Sequence, residues 1–246
     1  MDCGEATILV AFDISAAFDM VVHSTLLQRL RNTFGVDDVA LKWIESYLSR
    51  RNQFVKIGSA TSQSTSYNRE VPQCSVLCPI LFTVYASPTA KVAVAHGVAK
   101  QQYADDTQLH VILSKLSLTT ATRNLEDCVT ALRRWFAENG LALNSDKSKA
   151  MLVLMAQRSK EFSSLRTVSA AGSSVTVASQ IRLLGATLNV NLNFNTQIKN
   201  VFKASYFHIR ALRHFRSSVT EDMANSIACA LMQSRFDYAN VLYAGT

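Results

Sequence analysis

The stretch Ala99-Lys-Gln-Gln-Tyr-Ala-Asp-Asp-Thr-Gln-Leu-His-Val-Ile-Leu113 consists of two strand-like arms around a polar centre. In the second arm, His110 and Ile112 alternate with apolar residues on either side. An alternation with a period of two is typical of a strand with one buried face. The stretch therefore predicts a β-hairpin that carries Asp105 and Asp106 in its turn.

A third carboxylate follows an apolar run near the start of the chain. Residues Thr7–Phe12 are rich in β-formers and predict a buried strand that ends at Asp13. If this strand neighbours the hairpin, Asp13, Asp105 and Asp106 converge at one edge of a sheet. Carboxylates that close together repel one another and raise one another's pKa, and a divalent cation relieves the repulsion.

Such a set of oxygen ligands suits Mg²⁺, which usually takes one or two carboxylates together with substrate phosphates. Two ions about 4 Å apart would hold the attacking and leaving oxygens of a phosphoryl transfer. The structural alternative stays open at this point, because Asp is a common turn residue and Asp13 alone could serve as a cap.

Elsewhere the chain alternates between helical and strand patterns. The predicted strands are Met151–Met155 and a hairpin that pairs Val175–Val177 with Ile181–Leu188. The predicted helices are one capped by Ser24 and running through Leu30, then Val39–Leu48, Ile80–Tyr85, Thr120–Asn139, a helix from Thr196 onward, and Glu221–Ser234.

These patterns predict an α+β fold in two parts. Residues 1–195 mix strands and helices, and residues 196–246 are helical. A chain of 246 residues fits one large domain or two smaller ones.

The composition narrows the class of protein. A hydrophobic content of 48% is enough for a buried core and argues against a disordered chain. The net charge of +7 suits a polyanionic partner, either nucleic acid or an acidic membrane surface. The five cysteines lack zinc-site spacing, so we expect reduced thiols in an intracellular protein that is not secreted. No apolar run approaches the roughly 20 residues of a membrane helix, so no membrane partner is expected.

Five segments, in order, resemble the motifs of one protein family. Phe12-Asp13-Ile14-Ser15-Ala16-Ala17-Phe18-Asp19 is similar to motif A of the reverse transcriptases of non-LTR (LINE-type) retrotransposons. The later segments resemble motifs B to E of that family from residue 71 onward: Val71–Pro79, Tyr103–Asp106, Trp135–Ser148 and Leu183–Leu188. The resemblance runs from about residue 7 to the C-terminus, where Arg235–Asn240 resembles the thumb.

The resemblance implies a palm, an antiparallel sheet backed by helices, followed by a helical thumb. It implies an RNA-directed DNA polymerase that extends a primer 3′-hydroxyl on an RNA template with dNTPs and two Mg²⁺ ions, or Mn²⁺. Asp13 and Asp105 would bind the metals with the backbone of Ile14, and Asp106 would support them. A functional member would act in the nucleus. The oligomeric state is not predicted.

The resemblance also implies substrate-binding residues. Phe18 would be a steric gate against a 2′-hydroxyl, although it could equally be a core residue. Gln73 would lie against the template or the incoming base, and Lys147 would approach the triphosphate as a proton donor. The implied nucleic-acid contacts are Tyr103, Lys199, Lys203, Arg210 and Arg213, with a solvated helix face as the alternative for the last four.

The chain departs from the family pattern in motif B and before motif A. Cys74 and Cys78 replace two glycines, which permit positive φ or close backbone approach to a ligand. A side chain there would strain the turn or intrude on the substrate. The chain also begins about a dozen residues before Asp13, so we expect most of the fingers, and an endonuclease, to be missing.

Three functions are therefore compared. The first is a reverse transcriptase, whose isolated chain would be feeble because positioning supplies much of the rate in phosphoryl transfer. The second is a catalytically inactive remnant that binds nucleic acid. The third is an unrelated palm-like enzyme such as a nucleotide cyclase.

Overall fold

The central strand of the molecule is β1, Ala6–Ser15, whose side chains alternate between the core and the other face of the sheet. Ile8 and Val10 are completely buried on the core face. The structure is a computed structural model that describes residues 6–49, 51–113, 118–154, 165–170 and 173–240. The predicted strand is confirmed, and it continues two residues beyond Asp13.

Six strands form the main sheet, in the order β6 (Ala99–Tyr103), β7 (Asp106–Leu113), β1, β8 (Ala142–Val153), β10 (Ser173–Ala178) and β9 (Thr167–Ala170). Four short strands, β2–β5, pair with one another between the second and third helices. The strands after β1 are β2 Asn52–Gln53, β3 Lys56–Ile57, β4 Ala60–Thr61, β5 Thr65–Ser66, β6 Ala99–Tyr103, β7 Asp106–Leu113, β8 Ala142–Val153, β9 Thr167–Ala170, β10 Ser173–Ala178, β11 Gln180–Leu183 and β12 Ala186–Asn189.

The main sheet is antiparallel except at one pair of strands. β8 and β10 run parallel, with Val177 opposite Ala150. The prediction of an antiparallel sheet is therefore correct for the other pairs and wrong for this one. The parallel pair arises because β9 and β10 form their own antiparallel ribbon, which joins the sheet through β10.

Seven helices accompany the sheet in the described part of the chain. The helix α5, Leu118–Glu138, shows why they pack on it, because its apolar stripe, which includes Leu125, Leu132 and Phe136, is buried. Among the described helices none is long and apolar enough to cross a membrane alone. Two consecutive helices, Cys78–Ala86 and Thr89–Ala95, reach that length and apolarity only when taken together, and the chain bends by 44° between them. The helices are α1 His23–Phe34, α2 Asp38–Leu48, α3 Cys78–Ala86, α4 Thr89–Ala95, α5 Leu118–Glu138, α6 Asn195–Phe215 and α7 Glu221–Asp237, with a 3-10 helix over Arg216–Ser218.

Arg29 joins three of these helices. Its guanidinium on α1 lies 4.6 Å from the ring centroid of Tyr85 on α3 and 5.2 Å from that of Trp135 on α5. It also donates to the Tyr85 carbonyl and to Asn139 Oδ1. Burial lowers the pKa of Arg29, and the stacked rings and hydrogen bonds offset the cost of that burial.

The start of α1 differs from the prediction. The helix begins at His23 after Val22, so Ser24 lies inside it and is not its cap. Val22 forms an isolated bridge with Arg69, and His23 Nε2 lies 2.8 Å from the Glu70 carbonyl oxygen. These contacts with a segment distant in sequence fix the chain before the helix, and a local pattern does not contain them.

The predicted hairpin between Val175–Val177 and Ile181–Leu188 is wrong. The second segment folds back on itself, because Leu184 and Gly185 both have positive φ and form a two-residue turn between β11 and β12. β10 pairs instead with β9 and β8. The predicted strand at Met151 belongs to the longer β8, and Met155 lies outside the described residues.

The last two helices pack against each other, and α6 also packs against the β11–β12 hairpin. Gln197 is buried, and its Oε1 accepts a hydrogen bond of 2.8 Å from the Thr187 amide. Phe202 on α6 meets Phe236 on α7 edge to face at 5.7 Å. The helical region begins at Asn195, next to the predicted boundary, while the division into two domains stays a prediction.

Candidate active site

The turn between β6 and β7 carries the first carboxylate. Tyr103 pairs with Asp106, so Ala104 and Asp105 form a two-residue turn and Asp106 is the first residue of β7, not a turn residue as predicted. Ala104 has a φ of 52°, and its carbonyl accepts a hydrogen bond of 2.8 Å from Gln102 Nε2. This side-chain bond supports the backbone that presents Asp105.

Strand register brings the other carboxylates to the same place. β1 pairs with β7, and Phe12 lies opposite Thr107, so Asp13 ends the pairing beside Asp106. On its other side Asp13 lies opposite Asn144 of β8, next to an irregularity in the β1–β8 register. The predicted convergence of the three acids thus follows from β1 and β7 being neighbours.

The carboxylates influence one another electrostatically. Burial raises the pKa of Asp105, a hydrogen bond to its own backbone lowers that pKa, and the charge of Asp13 raises it. Burial also raises the pKa of Asp106, and the charges of Asp105 and Asp13 raise it further. These shifts mean that the folded protein holds negative charge here at a cost that a bound cation would relieve.

Lys147 is the cation closest to this cluster among the described ion pairs. Its Nζ lies 3.6 Å from Asp13 Oδ2, and both side chains are partly exposed. Lys147 follows Asn144, whose Oδ1 accepts from the Lys147 amide at 3.3 Å. An exposed pair of this kind contributes little to stability, so Lys147 is free to exchange Asp13 for another anion.

The end of motif A is tied to the start of motif B. Phe18 is half-buried and meets Phe82 of α3 edge to face at 5.4 Å. The Val71 amide donates to the Phe18 carbonyl at 3.0 Å. Gln73 is exposed, and its Nε2 donates to Asp19 Oδ1 at 2.7 Å. Sequence reasoning gave Asp19 no role, although it closes the motif A segment.

The two cysteines of motif B occupy different environments. Cys74 is exposed and has a φ of 59°, the conformation that favours glycine. Cys78 begins α3 with its side chain in the core, so the predicted intrusion on the substrate does not occur there. Burial raises the pKa of the Cys78 thiol, with smaller contributions from Asp105, Cys74 and Asp19. Cys3 lies outside the described residues.

A family profile matches this arrangement of sheet and carboxylates. Residues 2–188 match the profile described as "Reverse transcriptase (RNA-dependent DNA polymerase)". The chain belongs to the reverse transcriptase family. This membership favours the first two functions considered from the sequence over a nucleotide cyclase.

Relatives confirm the resemblance to LINE-type reverse transcriptases. The RNA-directed DNA polymerase from mobile element jockey of Drosophila melanogaster is 29% identical over 210 residues, 83% of this chain and 22% of that protein. A probable RNA-directed DNA polymerase from transposon BS of the same species is 27% identical, over 83% and 22%. This reverse transcriptase chain therefore spans about a fifth of the length of these relatives.

Solved structures establish the fold as a polymerase palm with a thumb. Telomerase of Candida tropicalis, in complex with the TWJ fragment of telomeric RNA, superposes with a TM-score of 0.53 over 98% of this chain and 39% of its own. The apo telomerase of that organism also gives 0.53, over 97% and 42%. Sequence identities of 11% and 13% mean that the likeness concerns the fold alone.

The carboxylates of this member of the reverse transcriptase family fit the chemistry of Mg²⁺. Within the described ranges, no group of three or more His, Cys, Asp or Glu side chains is arranged as a complete metal site. Mg²⁺ does not need one, because it usually binds one or two carboxylates and takes its other ligands from substrate phosphates and water. Ile14 is buried and lies opposite Leu143 in the β1–β8 ladder, directly after Asp13.

The predicted nucleic-acid contacts lie on two elements. Tyr103, at the end of β6, is 61% exposed. Lys199, Lys203, Arg210 and Arg213 are all exposed on α6, and at 100° per residue they fall within an arc of about 80°. The buried residues Gln197 and Ser205 lie on the other side of this helix. We call these four basic residues the basic stripe.

Proposed function

We propose that this chain is the polymerase part of a LINE-type retrotransposon protein, which extends a primer 3′-hydroxyl with dNTPs on an RNA template. One observation carries the proposal: Asp13, Asp105 and Asp106 meet where the neighbouring strands β1 and β7 end and begin. Family membership supports an RNA-directed polymerase, and the telomerase complex with RNA supports a nucleic-acid template.

The three carboxylates would hold two Mg²⁺ ions, or Mn²⁺, with Asp13 and Asp105 as ligands, the Ile14 backbone beside them and Asp106 in support. When bound, the metals supply charge neutralisation for the attacking and leaving oxygens. Desolvated carboxylates bind a cation more strongly than solvated ones because less hydration is lost on binding. The raised pKa values of Asp105 and Asp106 report that desolvation.

The side chains around the carboxylates would position the nucleotide. Phe18 would exclude a ribose 2′-hydroxyl, and its contact with Phe82 fixes the ring for that role. Gln73 would meet the template or incoming base after leaving Asp19. Lys147 would move from Asp13 to the triphosphate once metal neutralises Asp13, and it would donate a proton to the departing pyrophosphate.

The exposed basic stripe would bind the phosphates of the primer–template duplex, with Tyr103 near the primer end. Contacts of this kind do not depend on base sequence. They position the duplex, while base pairing with the template determines which nucleotide is incorporated.

A primer-extension assay on poly(rA)–oligo(dT) with Mg²⁺ tests the proposal. We expect dTTP incorporation that Asp105→Asn abolishes. Asp127→Asn is the matched control, because Asp127 is an exposed residue of α5 and its loss should leave incorporation unchanged. No incorporation by the unaltered chain, or equal incorporation by Asp105→Asn, would contradict the proposal.

A second candidate is a catalytically inactive remnant that binds nucleic acid. The strained backbone of Cys74 favours it, because Cys74 adjoins Gln73 in the loop proposed to meet the nucleotide. Salt-dependent binding of the duplex without incorporation would support this candidate. Incorporation that depends on Asp105 would exclude it.

A further inference from the structure

The segment from Trp43 to Arg51 presents three planar side chains in a row. Trp43 and Tyr47 lie one helical turn apart on α2, with their ring centroids 6.0 Å apart and their planes within 13°. Arg51 follows the helix, and its guanidinium carbon lies 4.6 Å from the Tyr47 ring centroid. Its Nε also donates to the Tyr47 carbonyl at 2.7 Å, which holds the guanidinium in place. We call Trp43, Tyr47 and Arg51 the planar row.

The outer end of the planar row faces solvent. Trp43 is 58% exposed, whereas Leu41 and Leu48 of the same helix are buried. Tyr47 is half-buried and packs against the core, so it anchors the row, and Trp43 extends from it into water. The exposed Trp43 ring is therefore accessible to a planar ligand from solvent.

Charge around the planar row is unfavourable for a cationic ligand and favourable for an anionic one such as a phosphate backbone. The row ends on the cation Arg51. Glu45 lines a cleft shared with α1, on the other side of the helix, and Asp37 at the helix start pairs with Arg31 at 3.5 Å. Glu45 is therefore directed away from the row, and Asp37 is already paired.

We propose that the planar row is a stacking surface for single-stranded nucleic acid, with bases against Trp43 and a phosphate near Arg51. Every base has a π face, so aromatic and guanidinium planes bind a single strand without regard to sequence. A duplex keeps its bases stacked inside and cannot use such a surface. The inference rests on the proposed function, in which the unpaired template is the single strand.

The place of the row in the fold fits the approach of a template. α2 packs on α1, and α1 packs on α3 directly after the motif B loop. The row and Gln73 therefore belong to one group of packed elements. The rival occupant, an apolar surface of a protein such as a second copy of this chain, would have to bury Arg51 with the rings.

Tryptophan fluorescence tests contact directly. The chain has two tryptophans, and Trp135→Phe leaves Trp43 as the reporter. We expect single-stranded oligo(U) to quench this fluorescence saturably and a blunt duplex to quench it far less. Anisotropy of a labelled oligo(U) strand shows when the protein is saturated. Trp43 fluorescence that is unchanged at saturation would overturn the proposal.

Substitution measures the contribution of stacking. Trp43→Ala should weaken oligo(U) binding about fivefold or more, and Trp43→Phe should retain most of the affinity because a ring remains. Val94→Ala, at an exposed residue of α4, is the matched control and should change nothing. Equal affinity of the unaltered chain and of Trp43→Ala for oligo(U) would overturn the proposal. Self-association of the chain that Trp43→Ala abolishes, with RNA binding intact, would also overturn it.

These measurements need neither metal nor dNTP, so they separate this inference from polymerase activity. Failure of primer extension with Trp43-dependent RNA binding intact would overturn only the polymerase. Normal extension with RNA binding indifferent to Trp43 would overturn only the stacking surface.

Discussion

Cys74 and Cys78 stand four residues apart at positions where the family motif has glycine, but the backbone treats them differently. Cys74 has a φ of 59°, which costs an L-residue roughly 1 kcal/mol. Cys78 begins a helix, and its side chain packs in the hydrophobic core. The motif glycine at position 74 therefore corresponds to a left-handed backbone conformation, whereas the one at position 78 corresponds to a place in the core.

Restoring each glycine should have opposite effects on stability. Cys74→Gly relieves the left-handed strain, and we expect an increase of up to about 1 kcal/mol in the free energy of unfolding. Cys78→Gly leaves a cavity and loosens the start of α3, and we expect a loss of about 1–2 kcal/mol. Urea denaturation of the two single variants gives both values. A loss of stability in Cys74→Gly would show that its φ is not strained.

The sequence predicts individual carboxylates well and their neighbours poorly. Asp13, Asp105 and Asp106 are predictable because each ends or begins a strand with a readable pattern. The contacts Lys147–Asp13 and Gln73–Asp19 join segments far apart in the chain, so no local pattern contains them.

At the scale of elements, the β11–β12 hairpin holds the last two helices through hydrogen bonds. Gln197 on α6 accepts from the Thr187 amide, and Asn200 Nδ2 donates to Thr187 Oγ1 at 3.2 Å. Tyr238, after α7, donates its hydroxyl to the Leu184 carbonyl. Both helices are thus held by polar contacts with one tight turn and the strand beside it.

Among the glycines that the structure describes, Gly185 has the least room for a side chain. A Cβ at Gly185 would lie 3.1 Å from Tyr238 Oη, whereas a Cβ at Gly97 would have nothing within 4 Å. Both glycines have positive φ, so alanine carries the same backbone strain of roughly 1 kcal/mol at each. Gly185→Ala should therefore destabilise the protein by about 1 kcal/mol more than Gly97→Ala in thermal or urea unfolding. Equal losses would mean that Tyr238 moves aside freely.

The same scale shows where periodicity suffices. The helix α5 and the strand β7 follow their patterns because each buries its own apolar face. The predicted cap of α1 and the predicted partner of β10 are wrong because a partner elsewhere in the chain decides them. Periodicity predicts a strand but does not predict which strand it pairs with.

For the whole molecule, the net charge of +7 is partly concentrated in the basic stripe of α6. Binding to phosphates releases counterions, so the logarithm of affinity falls linearly with the logarithm of salt concentration. Changing Lys203 and Arg210 to Ala should reduce the steepness of that line by up to about 0.9 for each phosphate that the protein no longer neutralises.

Duplex-binding titrations at several salt concentrations measure this slope. Lys42 and Lys91, exposed on other helices, provide a double-alanine control of equal charge, which should lower affinity less and leave the slope nearly unchanged. An equal change of slope in both double variants would show that net charge, rather than the basic stripe, governs binding.

At this scale the fold is predictable chiefly through the order of its motifs. Composition and periodicity alone lead to an α+β chain with a helical end, and the motif resemblance adds the palm and thumb that the telomerase structures bear out. The parallel pairing of β8 with β10 is absent from that prediction, since it depends on how a ribbon attaches at the edge of the sheet.

The central place of β1 has a consequence for synthesis of the protein. This strand pairs with β7 and β8, and Thr7 meets Val153, nearly 150 residues later. At roughly 5–20 residues per second, an emerging β1 waits on the order of ten seconds for its second neighbour. During that interval β1 has at least one unpaired edge, which is a target for chaperones and for aggregation. The strand that carries Asp13 therefore waits longer for its second neighbour than any other described strand of the main sheet.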